Sequence, residues 1–212
     1  MLTRKIAFVF PGQGSQAVGM GEDLSRSYEI ARKVFSDADK LLNFPISQIT
    51  WNGPADLLND TINTQPALLS QSTAVLYVIQ EYFPTLIPAY VAGHSMGEIS
   101  ALVAAKALSF SDALKLLRIR GELMKQAGIN SPGGMAAIIG MDIKAIEEIC
   151  NKASIEENTV QIANDNCPGQ IVISGTTTAL TNAIELAKRS GARRIIPLNV
   201  SIAAHSILMK NA

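Results

Sequence analysis

The chain has 212 residues, 48 % of them hydrophobic, and eighteen Lys plus Arg balance eighteen Asp plus Glu. That length and apolar content can bury a real core as one large domain or two small ones, and they exclude a disordered or fibrous protein. The balanced charge supplies no overall field for nucleic acid or an anionic membrane, so neither is expected as a partner and small-molecule chemistry leads.

The apolar run at residues 6–10 follows the charged Arg4 and Lys5 and ends at Pro11-Gly12, too short for a signal-peptide core. It reads as a buried strand that enters the loop Pro11-Gly12-Gln13-Gly14-Ser15-Gln16. Helical patterns follow over 20–42 and 65–83, the second with Leu68, Val75, Leu76 and Ile79 on one face. The uncharged stretch 61–80 is interrupted by Asn63, Gln65, Ser70, Gln71, Ser72 and Thr73, which predicts a buried helix and not a membrane span. A strand at 89–93 and helices at 96–105 and 112–126 complete an alternation of strand and helix, the pattern of a three-layer α/β domain with a mostly parallel sheet over 1–127.

After Ser131-Pro132-Gly133-Gly134 the rhythm changes. Strands at 135–139, 160–163, 171–174 and 194–197, with helices at 142–152 and 178–190, give the order βαββαβ, a ferredoxin-like small domain over 128–198. Residues 199–212 form a return segment. Cys150 and Cys167 lack metal-ligand spacing and are too few for a secreted disulfide scaffold, so reduced thiols in a cytoplasm are expected, with no metal site.

Gly93-His94-Ser95-Met96-Gly97 falls between a predicted strand and a predicted helix, the context a nucleophile elbow requires. Such a turn lifts the Ser95 hydroxyl clear of the sheet and sets the Met96 N–H, at a helix N-terminus, to bind a developing oxyanion. The alternative is a chance pentapeptide in a loop. A serine nucleophile needs a base, and only His94 and His205 are available. His94 directly precedes Ser95, where neighbouring strand side chains point to opposite faces, so the assignment falls to His205 in the return segment. Arg120 sits among apolar neighbours on a packed helix, and a guanidinium there either forks onto a substrate carboxylate or makes a structural ion pair. Gln13 either adds a second oxyanion N–H or belongs to an ordinary Gly-rich turn. Lys188, Arg189, Arg193 and Arg194 form a basic cluster that is either a docking surface for an acidic protein or a solvated face.

Taken in order, these stretches resemble the malonyl-CoA:acyl carrier protein transacylase family. Phe8 to Gln16 is similar to its opening motif, Asn63-Thr64-Gln65-Pro66-Ala67 to its second and Gly93 to Gly97 to its nucleophile motif, and Arg120-Gly121 falls at its carboxylate-binding arginine. Gly134-Met135-Ala136-Ala137 resembles the opening of its small domain, Asn164 to Gln170 its Asn-x-Asn-x-Pro-Gly-Gln stretch, and Val200-Ser201 to His205 its histidine segment. The resemblance implies an α/β-hydrolase-like large subdomain with an inserted ferredoxin-like small one. It also implies ping-pong transfer of a malonyl group from malonyl-CoA to the phosphopantetheine thiol of acyl carrier protein. Ser95 and His205 would be catalytic, Gln13 and Met96 the oxyanion hole, and Arg120, Gln65, His94, Asn164 and Asn166 substrate-binding. Coenzyme A enters as a thioester substrate, and no permanently bound cofactor is implied.

The family's domain continues past the histidine segment, so the chain is read as truncated at its C-terminus and is expected to be weak or inactive alone. Ala203-Ala204 stands where many malonyl-selective relatives carry a bulkier residue. A serine thioesterase or an inactive remnant are the competing readings.

Overall fold

The structure, a computed structural model, describes residues 5–198, 200 and 202–212. Expectations that fall on residues 1–4, on Asn199 at the head of the return segment, and on Ser201 in the histidine motif lie outside the described residues. The chain divides into two units, Met1–Glu122 and Leu123–Ala212.

In the first unit, β1 (Ala7–Phe10) pairs in parallel with β2 (Tyr90–Gly93), with Phe10 level with Gly93. Between the strands run α1 (Glu22–Ser27), α2 (Glu29–Leu42), α3 (Ile46–Asn52), α4 (Ala55–Asn59) and α5 (Thr61–Tyr82); α6 (Gly97–Ala104) follows, and α7 (Phe110–Asn130) begins in this unit and runs past its last residue, Glu122. The helix expected over 20–42 is two helices, because Tyr28 leaves the helical region (φ −127°, ψ 122°) and stacks edge-on against Tyr82 at 5.2 Å. Packing of that ring outweighs the weak helix propensity of the segment. α3 and α4, which no periodicity announced, each begin beside a proline at the N-cap, Pro45 and Pro54.

Helix α5 starts four residues earlier than expected because the Asp60 side chain caps it, accepting from the Ile62 N–H at 3.2 Å. Pro66 inside α5 has no N–H to give the Ile62 carbonyl, and Arg118 Nη1 reaches that oxygen instead at 3.5 Å. Leu58, Leu69, Met96, Leu114 and Leu117 are almost fully buried in the core built by these helices. Val75 departs from the expected buried face of α5. It is exposed and borders a groove of about 390 Å³ beside β1, together with Phe8, Phe10 and Ile79. Among the described residues no helix is long and apolar enough to cross a membrane; α5 holds the long uncharged stretch.

The second unit follows the predicted order: β3 (Gly133–Ile139), α8 (Ile143–Ala153), β4 (Val160–Cys167), β5 (Gln170–Thr176), α9 (Thr177–Arg189) and β6 (Arg194–Pro197). Its sheet is antiparallel in the order β4-β5-β3-β6. The expected strand at 160–163 continues to Cys167 through two bulges, which is why polar Asn164 to Asn166 escaped a period-2 reading. Ile138, Ile171 and Ile173 on one face pack under Ile146, Ile149 and Cys150 of α8 and Ala179, Ala183 and Ala187 of α9. Alanine at every fourth position lets α9 approach the strands closely. Met135, Ala137 and Val172 on the other face are covered by Leu198, Val200 and Ala204 of the segment after β6.

Burial, reinforced by the Glu147 carboxylate, pushes the Cys150 thiol up to about 11, whereas Cys167 is exposed. The thiolate is the reactive form, so below that pH Cys150 is inert. Titration with a disulfide reagent at pH 8 is expected to count one fast thiol in the folded chain and two in urea; two fast thiols before denaturation would contradict this core.

Candidate active site

The parallel register of β1 and β2 brings the loop after β1 and the turn after β2 out side by side. The His94 N–H donates to the Phe10 carbonyl at 3.0 Å, extending the pairing one step into the turn. A Cβ at Gly93 would lie 1.9 Å from the Gly97 carbonyl carbon, and one at Gly97 would lie 2.5 Å from the Phe10 oxygen. Strand, turn and helix therefore approach as only glycine permits. Between these glycines Ser95 adopts φ 53°, the left-handed region that costs a non-glycine residue energy. Met96, buried to 1 % exposure, is the N-cap of α6, whose first N–H groups, on Gly97 and Glu98, donate back to His94 and Ser95 carbonyls. The His94 ring lies over Gly12, where a Cβ would meet Nδ1 at 2.7 Å.

Arg120 of α7 reaches the same place. Its Nη2 donates to Ser95 Oγ at 3.4 Å and its Nη1 to Gln65 Oε1 at 2.7 Å. Gln65, fully buried on α5, donates from Nε2 to Thr61 Oγ1 at 2.9 Å, and the Thr61 hydroxyl donates to Gln13 Oε1 at 3.0 Å. Of the two readings of Arg120, the structural ion pair does not hold: among the described residues no carboxylate pairs with it, and it is Arg118 that takes a carboxylate, Glu122, at 3.0 Å. Burial draws the Arg120 guanidinium below its ordinary range, yet a guanidinium stays cationic near neutrality. A hydroxyl on a strained turn beside such a cation suits attack on an acyl group that carries a carboxylate.

His205, Asn164 and Asn166 belong to the second unit. His205 follows buried Ile202 and Ala203 and also has a left-handed backbone, φ 57°. Gln161 of β4 brackets this turn: its Nε2 donates to the His205 carbonyl at 3.3 Å, and its Oε1 accepts from the Ile207 N–H at 3.2 Å. A Cβ on Gly133 would lie 2.9 Å from the Ala203 methyl, so it is Gly133 that has no room for a side chain where this segment packs on β3. Asn164 is half-buried and Asn166 exposed on bulged β4.

The acyl transferase domain model matches residues 7–212. The chain belongs to the acyl transferase domain family. A malonyl CoA-acyl carrier protein transacylase of Bacillus subtilis (strain 168) is 51 % identical over 208 residues, which are 98 % of this chain and 65 % of that protein. Its counterpart from Haemophilus influenzae is 48 % identical over 99 % of this chain and 67 % of its own length. The chain thus spans about two thirds of the length of these curated relatives. A crystal structure of an acyl carrier protein S-malonyltransferase from Vibrio cholerae superposes with a TM-score of 0.91 at 45 % identity, covering 98 % of this chain and 67 % of that one. A type II PKS acyl-carrier protein in complex with its malonyl-transacylase superposes with a TM-score of 0.94 at 40 % identity, with the same coverage.

Two residues of this family member went unread in the sequence. Thr61 stands one helical turn before Gln65, a spacing that puts both on one face and could have flagged it. Gln161 carries no such signal, because its partners are backbone groups more than forty residues away.

Gly93→Ala drives a methyl into the Gly97 backbone, and the expected cost is about 3 kcal/mol. Urea denaturation checks it; an unchanged midpoint would mean that strand and helix do not approach this closely.

Proposed function

We propose that the protein transfers a malonyl group from malonyl-CoA to the phosphopantetheine thiol of an acyl carrier protein through a malonyl-serine. The observation that carries the reading is Arg120, a half-buried cation that pairs with no carboxylate among the described residues, 3.4 Å from Ser95 Oγ and oriented by Gln65. The malonyl carboxylate completes it with two parallel N–H···O bonds.

In the first half-reaction Ser95 Oγ attacks the thioester carbonyl carbon while His205 takes the hydroxyl proton. The backbone N–H groups of Met96 and Gln13 hold the resulting oxyanion. The tetrahedral intermediate collapses with cleavage of the C–S bond, and coenzyme A leaves as its thiol with the proton from His205. In the second half, the carrier thiol gives its proton to His205 and attacks the malonyl-serine ester. Collapse returns that proton to Ser95 Oγ and releases the malonyl-thioester. Gln65, His94, Asn164 and Asn166 complete the substrate-binding set. The steps balance with these groups alone, the coenzyme A thioester being substrate.

The same reading takes the first unit as an α/β-hydrolase-like large subdomain, supported by the strand-turn-helix around Ser95. It takes the second as a ferredoxin-like small subdomain, supported by the βαββαβ order and the strand order β4-β5-β3-β6. Fatty acid synthesis in the cytoplasm is the setting it assigns, and two free thiols are compatible with that compartment.

Intact-protein mass spectrometry after brief exposure to malonyl-CoA is expected to find one added malonyl group that Ser95→Ala lacks. A folded chain that stays unmodified would sink the reading in favour of an inactive domain, and rapid loss of the adduct to water without carrier protein would favour a hydrolase. Arg120→Ala is expected to slow acylation by malonyl-CoA about 100-fold while leaving acetyl-CoA within a few-fold, because only the malonyl group has a carboxylate to lose. Equal losses for the two esters would remove Arg120 as the carboxylate clamp.

A further inference from the structure

We infer that Thr61 is the positioning residue that ties the carboxylate clamp to the oxyanion loop, an inference that rests on the malonyl-transfer reading. The juxtaposition is a single line of hydrogen bonds: Arg120 Nη1 to Gln65 Oε1 at 2.7 Å, Gln65 Nε2 to Thr61 Oγ1 at 2.9 Å, and Thr61 Oγ1 to Gln13 Oε1 at 3.0 Å.

The direction of this line is set from its charged end. A guanidinium only donates, so it demands the oxygen of the Gln65 amide, and the amide nitrogen must then face Thr61. A hydroxyl both accepts and donates, so Thr61 takes the Gln65 N–H and passes its own proton toward Gln13. Every bond polarises the next in the same sense, which strengthens the series in a buried setting. Gln65 is fully buried and Thr61 8 % exposed, so water does not replace a lost member cheaply.

Thr61 is held for the task. It is the first residue of α5, and the cap of that helix is supplied by Asp60, so the Thr61 hydroxyl is not spent on capping. Gly121, the neighbour of Arg120, packs directly on this turn: a Cβ there would lie 2.9 Å from the Thr61 carbonyl oxygen and 2.8 Å from the Ile62 Cα. That close approach fixes the span from α7 to α5 that Gln65 bridges. At the far end the loop bearing Gln13 is held by a second stitch, Gln16 Nε2 to Asn59 Oδ1 at 2.8 Å, and by Ser15 Oγ to the Gly12 carbonyl at 2.8 Å. Thr61 thus links the group that recognises the carboxylate with the loop whose N–H meets the oxyanion.

Two measurements test this, on Thr61→Val, which keeps the shape and removes the hydroxyl, and on Thr61→Ser, which keeps the hydroxyl. The first is the side-chain amide NMR signals of Gln13 and Gln65 in the free protein, a readout independent of activity. Both pairs are expected to shift in Thr61→Val and to hold in Thr61→Ser, and unmoved signals in Thr61→Val overturn the inference. The second is the single-turnover rate of Ser95 acylation by malonyl-CoA and by acetyl-CoA. Thr61→Val is expected to lose about 10- to 30-fold with malonyl-CoA, which needs both clamp and loop, and about 3-fold with acetyl-CoA, which needs only the loop. Thr61→Ser is expected to restore the malonyl-CoA rate to within about 3-fold of the unsubstituted chain and to leave the acetyl-CoA rate unchanged. Equal losses for the two esters, or a Thr61→Ser as slow as Thr61→Val, overturn the positioning role. If Thr61→Val does not fold, Thr61→Ala takes its place in both measurements. A wild-type chain that accepts neither ester would refute the malonyl reading itself, and the amide signals would still decide whether Thr61 orders the two glutamines.

Discussion

The register that sets Phe10 level with Gly93 is the constraint on which the candidate site depends. Parallel strands that end together release their following loops at the same height, and the usual place for chemistry in an α/β sheet is just beyond those carboxyl ends. Here the two loops are pressed into one another until Gly12, Gly93 and Gly97 leave no room for a side-chain carbon. Backbone crowding from both sides over-determines the turn, and this is what sustains Ser95 at a φ of 53° against the preference of its side chain. A one-residue slip of the pair would turn each strand's side chains over and separate Phe10 from the elbow, so stability of the strands and placement of Ser95 are one property.

The second organising fact is an imbalance of charge. Partial burial of a guanidinium is costly unless an anion or well-aimed acceptors compensate. Arg118 meets this by pairing with Glu122, reaching Asn63 Oδ1 at 3.0 Å and lying over the Phe44 ring. Among the described residues Arg120, two residues along the same helix, meets the neutral amide of Gln65 and the Ser95 hydroxyl and no carboxylate. Neutral acceptors hold the cation in place without cancelling its charge. On the proposed reading this is the useful state, since an arginine already paired with a protein carboxylate would have to break that pair before it could take one from a substrate.

Much of this was legible in the sequence because the decisive features are local. Gly93 to Gly97 declares a sharp strand-to-helix turn by composition alone, and the βαββαβ order of the second unit shows in the change of period after Gly134. What stayed hidden is non-local. The break at Tyr28 is decided by Tyr82, more than fifty residues away, and the helices α3 and α4 draw on proline N-caps and core contacts, having no periodicity of their own. The sequence left Arg120 poised between a substrate clamp and an ion pair, because the choice rests on whether a carboxylate of another element comes within reach. Thr61 was passed over for a related reason: the helical pattern reads only from Gln65 onward, and its partner Gln13 lies far away in the loop after β1.

Ser95 and His205 share a left-handed backbone but are held by different means, and the difference has consequences for robustness. Ser95 is fixed by backbone against backbone, where side-chain substitutions can do little except at the glycines themselves. His205 stands at the end of a segment whose buried residues, Ile202 and Ala203, anchor it to the second unit, and its own turn is bracketed by the amide of Gln161. Those last two bonds are solvent-exposed and longer than 3.1 Å, so each contributes modestly and opens readily. The anchoring at Ala203 is tight: the Gly133 backbone lies so close that a Cβ there would come within 2.9 Å of the Ala203 methyl. Placement of the serine is therefore a property of the fold of its unit, whereas placement of the histidine is a property of one turn, and it is the turn that substitution at a single exposed position can loosen.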